Sequence, residues 1–141
     1  MPELARADVS VVRCLARPEV LDALPAPAGA FACRVAPDEL ILIGAHAASD
    51  EILAACSHHL EEGLALDHTD AFAAWAISGH QAGEVFARLS AMRLPDERPA
   101  FVQGAVAGVP AKVLAEADRI VVLVSSVLGH HLGERLEEAT A

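Results

Sequence analysis

The sequence predicts an α+β fold, on three observations. Two apolar runs, FACRVA (31–36) and ELILIGA (39–45), flank Pro37-Asp38 as the arms of a hairpin flank a turn. Three β-branched runs, 101–106, 109–115 and 119–125, follow one another with short turns and read as a meander. About three stretches with helical apolar spacing sit between and after them, without the strict alternation of a βαβαβα chain. The expectation is a single domain over 1–141, with a core from about residue 8 to residue 140.

The composition excludes several classes. Lys and Arg number 10 against 20 Asp and Glu, giving a net charge of −10. The basic residues are scattered and only one is a lysine, Lys112, so no clustered positive surface exists for a nucleic-acid backbone. No apolar run reaches the length of a membrane span. The start, MPELARADVS, has no basic stretch leading into an apolar one, so no secretory signal is expected. Cys14, Cys33 and Cys56 have neither the number nor the spacing of a disulfide framework or a CxxC metal knuckle. These features together predict a reduced, cytoplasmic protein. The hydrophobic share is 54%, but 30 of those residues are alanine. What remains, about a third of the chain, is still enough to build an ordinary core.

Taken in order, residues 1–7 are expected to fray. DVSVVRCLA (8–16) reads as a strand ended by Arg17-Pro18, and LPAPAGA (24–30) as a proline-broken loop. Ser49 is placed to cap a helix with Asp50 and Glu51 in its first turn, an apolar stripe of Ile52, Leu53, Cys56 and Leu60, and Gly63 at its end. LALDHTDAFAAWAIS (64–78) is extended with a break at Thr69-Asp70. A second helix is predicted from Gln81 to about Arg93 on Val85, Phe86 and Leu89, stopped by Pro95. In the meander the run IVVLV (120–124) is the expected central strand. Ser126 is expected to cap a last helix carrying Leu128, Leu132, Leu136 and Ala139 on one face.

No set of residues makes a catalytic, cofactor or metal site by spacing. The seven histidines are His46, His58, His59, His68, His80, His130 and His131. Adjacent helical residues diverge by about 100°, so neither His pair chelates as an HxxxH would. Surface histidines, several near helix C-termini, are the simpler reading. Ser78, Ser125 and Ser126 lie in no nucleophile elbow, and Cys33 and Cys56 read as small buried hydrophobes. Gly79-x-x-x-Gly83 lacks the lysine of a phosphate loop; a turn with Gly83 allowing close helix packing accounts for it. Asp67 and Asp70 bracket His68, but an odd separation sends them to opposite faces of a strand, and Asp70 is expected to bond backbone at the break.

Three segments carry a family resemblance. APDELILIG (36–44) is similar to a Gly-Pro-Asp-Glu-Trp-Leu-Leu-Leu-type stretch, with Ala36 for the glycine and Leu40 for the tryptophan. ALDHTDAFAAWAISGHQAGEVFARL (65–89) resembles an Asp-x-Ser/Thr-Asp motif, an apolar strand, Ser-Gly and a helix. VLVSSVLGHHLGERLEEA (122–139) resembles a valine-rich strand, a serine and a closing helix, although Ser125 stands where an arginine is usual. In this order they resemble the gamma subunit of heterotetrameric sarcosine oxidase, within the folate-dependent aminomethyltransferase superfamily.

The resemblance implies a fold like the first domain of the aminomethyltransferases, built as two repeats of strands and helices. It also implies a non-catalytic, structural role beside larger flavoprotein subunits that bind FAD, FMN, NAD and tetrahydrofolate, with no cofactor in this chain. Neither nucleic acid nor membrane is an expected partner, and the chain could self-associate when isolated. The alternative is a stand-alone folate-binding aminomethyl transferase. A third reading, a pH-sensing interaction module, rests only on seven histidines whose protonation would offset much of the net charge of −10.

Overall fold

The computed structural model describes residues 2–45, 48–60 and 62–141. Its elements run β1 (Glu3–Arg6), β2 (Val9–Leu15), α1 (Pro18–Asp22), β3 (Phe31–Ala36), β4 (Glu39–Ala45), α2 (Ser49–His59) and β5 (Leu64–Asp67). They continue with β6 (Phe72–Ser78), α3 (Ala82–Ala87), β7 (Ala100–Val106), β8 (Val109–Ala115), β9 (Arg119–Ser125) and α4 (Gly129–Thr140). Single 3-10 turns at Thr69–Ala71 and Ser126–Leu128 lead into β6 and α4. The fold is α+β, with two antiparallel sheets and four α-helices among the described residues. The chain divides into two compact units, Asp8–Thr69 and a discontinuous one made of the residues through Ala7 with Asp70–Ala141.

In the unit Asp8–Thr69 the sheet order is β3-β4-β2-β5, antiparallel throughout. Alternation along β2 and β4 sends Val12, Cys14, Leu40 and Leu42 to one face, where Leu21, Ile52, Cys56 and Leu60 cover them. The hairpin around Pro37-Asp38 forms as expected. Pro18, which ends the strand region, also opens α1; five residues are too few to show helical periodicity in sequence. Ser49 lies inside α2 rather than capping it, and the helix stops at Leu60, ahead of Gly63.

In the discontinuous unit the order is β1-β6-β9-β8-β7. Residues 1–7, expected to fray, contribute an edge strand: Leu4 sits opposite Ile77 and Arg6 opposite Trp75. ELAR is too short and polar to announce itself, and the free edge of β6 decides its state. The run IVVLV lies in the middle strand, β9, with both faces buried. Ile120, Val122 and Val124 join a core with Val85, Phe86, Leu132 and Leu136. The β7–β8 hairpin turns through Ala107 (φ 52°) and Gly108 (φ 80°), the pair of left-handed residues that a two-residue hairpin turn demands.

The two units share one connectivity. The unit Asp8–Thr69 follows the split βαββαβ order through β2, α1, β3, β4, α2 and β5. In the other, β6, α3, β8, β9 and α4 take the same places, β1 supplies the last strand and β7 is an added edge. The repeat is topological and leaves no trace in the residues.

Two helix expectations need correction. The helix expected over Gln81–Arg93 ends at Ala87. Ser90 Oγ donates to the Ala105 carbonyl (2.8 Å) and accepts the Met92 N–H (3.1 Å), while Ala107 N–H donates to the Leu89 carbonyl (2.8 Å). These bonds to β7 and its turn replace the next helical turn, yet Leu89 and Met92 still pack on the core. Ser126 begins the 3-10 turn and makes no capping bond to α4, although Leu128, Leu132, Leu136 and Ala139 face the core as expected.

Candidate functional site

The histidines are dispersed. His46 lies outside the described residues. His58 and His59 are exposed in the last turn of α2, where a cation meets the negative end of the helix. His130 and His131 instead occupy the first turn of α4, and His130 Nε2 reaches Glu134 Oε1 at 3.0 Å. His68 donates its backbone N–H to Val11, and His80 is exposed before α3. Among the described residues no group of three or more His, Cys, Asp or Glu side chains is placed to hold a metal ion.

At the break it is Asp67, not Asp70, that bonds the backbone. Asp67 Oδ1 accepts the Thr69 N–H (3.0 Å) and the Thr69 hydroxyl (2.6 Å), while Thr69 Oγ1 accepts the Val11 N–H (3.0 Å). The pair Asp67 and Thr69 therefore ties β5 to β2. All three cysteines are free thiols in the interior. The hydrogen bond that Cys14 shares with Cys56, together with burial, pushes the Cys14 thiol well above its usual range. Burial alone pushes Cys33 up to about 12. Buried thiols held protonated, as Cys14 and Cys33 are, are poor nucleophiles, which suits a packing role for these two.

Gly83 was expected to admit a close helix, but a Cβ there would meet nothing within 4 Å. The close approach is in α4, where a Cβ on Gly133 would lie 2.5 Å from Trp75 Cζ2 and one on Gly129 2.6 Å from Ala73. Trp75 Nε1–H donates to the Gly129 carbonyl (2.9 Å), and the Arg6 guanidinium stacks 5.3 Å from the Trp75 ring. Gly79, His80, Gly83, Arg98, Asp118 and Arg119 line a polar groove of about 620 Å³. Its cations are engaged internally: Arg119 pairs with Glu116, and Arg98 Nε–H donates to the Pro95 carbonyl (2.9 Å).

The face of the five-stranded sheet turned away from α3 and α4 carries a second hollow, of about 690 Å³. Register places Gln103, Lys112 and Leu123 in one row across β7, β8 and β9, with Ser125 and Phe72 opposite each other further along and the pair Ala105 and Pro110 between β7 and β8. Leu128 and Ala71 wall one side. The Lys112 ammonium stands 6.0 Å from the Phe72 ring centroid. Spacing alone did not single out this hollow, because its members come from four strands. The available signal was the sole lysine of an acidic chain, placed within a strand.

Two sheets with paired split-βαβ connectivity define the class of fold. Within it, the chain is similar to one chain of the heterotetrameric sarcosine oxidase of Corynebacterium sp. U-96, with a TM-score of 0.82 and 16% identity over 98% of this chain and 83% of that one. It is also similar to aminomethyltransferase T of the glycine cleavage system from Bartonella henselae (TM-score 0.68, 15% identity, 96% of this chain), of which it spans 45%. The regulatory subunit of aspartate kinase from Thermus thermophilus gives a TM-score of 0.58 at 13% identity, with 100% of this chain and 98% of that one covered. At these identities the likeness is one of fold. No protein-family model and no curated protein sequence matches the chain.

Proposed function

We propose that this chain is a non-catalytic small subunit of a multi-subunit, flavin-dependent oxidase or demethylase of N-methylated amines. Its role there is structural. The observation that carries this reading is the extent of the match to the sarcosine oxidase chain, which takes in 98% of this protein and 83% of that one. The three sequence segments, 36–44, 65–89 and 122–139, add to it: they fall on β4, on the run from β5 through α3, and on β9 with α4. In this reading FAD, FMN, NAD and tetrahydrofolate belong to larger partner subunits, and the chain holds none of them.

Affinity isolation of the tagged chain from its native host tests the proposal. Stoichiometric recovery of larger subunits with flavin absorbance is expected. A chain that elutes alone on size exclusion contradicts it. A second reading, a stand-alone folate-binding one-carbon transferase, draws on the aminomethyltransferase likeness, but the chain spans only 45% of that protein. Calorimetry with tetrahydrofolate separates the two: saturable micromolar binding favours the transferase, and the absence of heat favours the subunit.

A further inference from the structure

We propose that Cys14 and Cys56 form a redox-sensitive pair, which hydrogen peroxide closes to a disulfide between β2 and α2. Three placements carry this. Cys14 lies opposite Leu40 and shares its side of the four-stranded sheet, the side that α2 covers. Cys56 lies on the buried stripe of α2 with Ile52, in the same core, and the two thiols are hydrogen-bonded to each other. Cys33 is opposite Ile41, one residue along β4, and therefore faces the other side of the sheet. Two of the three thiols meet, and the sheet keeps the third from both. A disulfide needs a sulfur separation of about 2.05 Å, so thiols already in hydrogen-bond contact need only a small approach of α2 to β2. Both residues belong to the unit Asp8–Thr69, so the pair stands whatever the chain assembles with.

The two thiols are unequal. The Cys14 S–H donates to the Cys56 sulfur; that bond lowers the Cys56 thiol and, together with burial, raises Cys14. Cys56 is therefore the thiolate that peroxide meets first. Its sulfur attacks one peroxide oxygen, the O–O bond breaks, and a sulfenic acid and hydroxide result, the hydroxide taking a solvent proton to become water. The Cys14 sulfur then attacks the Cys56 sulfur. The S–O bond breaks as the S–S bond forms, and the hydroxyl leaves with the Cys14 proton as a second water. The two thiols lose two electrons in all, and the peroxide gains them. Entry is at the end of α2, where the exposed Ser57, His58 and His59 follow Cys56 and the helix stops. Fraying of that last turn uncovers the Cys56 sulfur to an oxidant little larger than water. The cross-link then ties the turn to β2.

Titration of the full chain with hydrogen peroxide in native buffer tests this. Free thiols counted in denaturant should fall from three to one per chain, and dithiothreitol should restore them. Peptide mapping without reductant should join the Cys14 and Cys56 peptides, at about 2 Da below their summed mass, and leave Cys33 reduced. The bond closes a long loop, from residue 14 to residue 56, so the oxidised chain should melt at least about 5 °C higher. Cys33→Ala should keep all of this. Cys14→Ala, which removes the second thiol, should instead let Cys56 over-oxidise to a sulfinic acid, a gain of about 32 Da. Near-UV circular dichroism reports that each variant is folded, and mapping of the unaltered chain decides the pairing without them. The proposal is overturned by equal loss of all three thiols, by a cross-link that includes Cys33, or by an oxidised chain that melts no higher. Three intact thiols, at a peroxide concentration that oxidises the unfolded chain, overturn it as well.

Discussion

Gly133 and Gly83 are both helical glycines, and their surroundings give opposite predictions. At Gly133 a methyl would press 2.5 Å from the Trp75 ring, which is itself held by the Gly129 carbonyl and by Arg6. Overpacking of this kind costs about 1–3 kcal/mol, against a propensity gain of about 1 kcal/mol, so Gly133→Ala should destabilise on balance. Gly83→Ala, with open space around it, should stabilise by about 0.5–1 kcal/mol. Urea titrations of both variants check the pair, and the same sign for both would refute the packing assignment. Trp75→Phe keeps most of the ring but drops the bond to Gly129, for an expected loss of about 1–2 kcal/mol. Cys33 adds a pH dependence. Its folded pKa, about 12, lies above the ordinary 9.0, so its stabilising contribution is whole below pH 9 and declines as the pH rises toward 12. Stability measured from pH 8 upward should fall, and less steeply in Cys33→Ala.

Among the elements, β1 is the most informative. Four residues from the start of the chain complete a sheet whose remaining strands begin at Phe72. Removing Glu3–Arg6 bares the β6 edge and takes Arg6 off Trp75, so the melting midpoint should drop by about 5 °C and self-association should rise. An unchanged melt would mean that β1 is incidental. Most other elements were legible in the sequence, and for physical reasons. The hairpin at Pro37-Asp38 and the meander announce themselves because their turns carry the residues that turns need and their strands are β-branched. What escaped depends on distant partners. The polar strand β1 needs β6, and α3 is cut short because Ser90 finds Ala105, fifteen residues on. The hollow was illegible for the same reason, being assembled from residues that meet only through register.

For the whole molecule, the threading of the chain has a consequence for folding. The unit Asp8–Thr69 is inserted between β1 and the rest of the other unit, so ordering β1 against β6 constrains both ends of the insert. We expect one cooperative transition, with Trp75 fluorescence, which reports the discontinuous unit, superimposing on far-UV circular dichroism; two separated transitions would show independent units. The central proposal is that this chain serves larger, flavin-bearing neighbours as a non-catalytic subunit. Formaldehyde release from an N-methylated amine, assayed on the isolated chain and on the assembly purified with it, tests that account most directly. Turnover should appear in the assembly and be absent from the isolated chain. A flavin-bearing or turning-over isolated chain would contradict it.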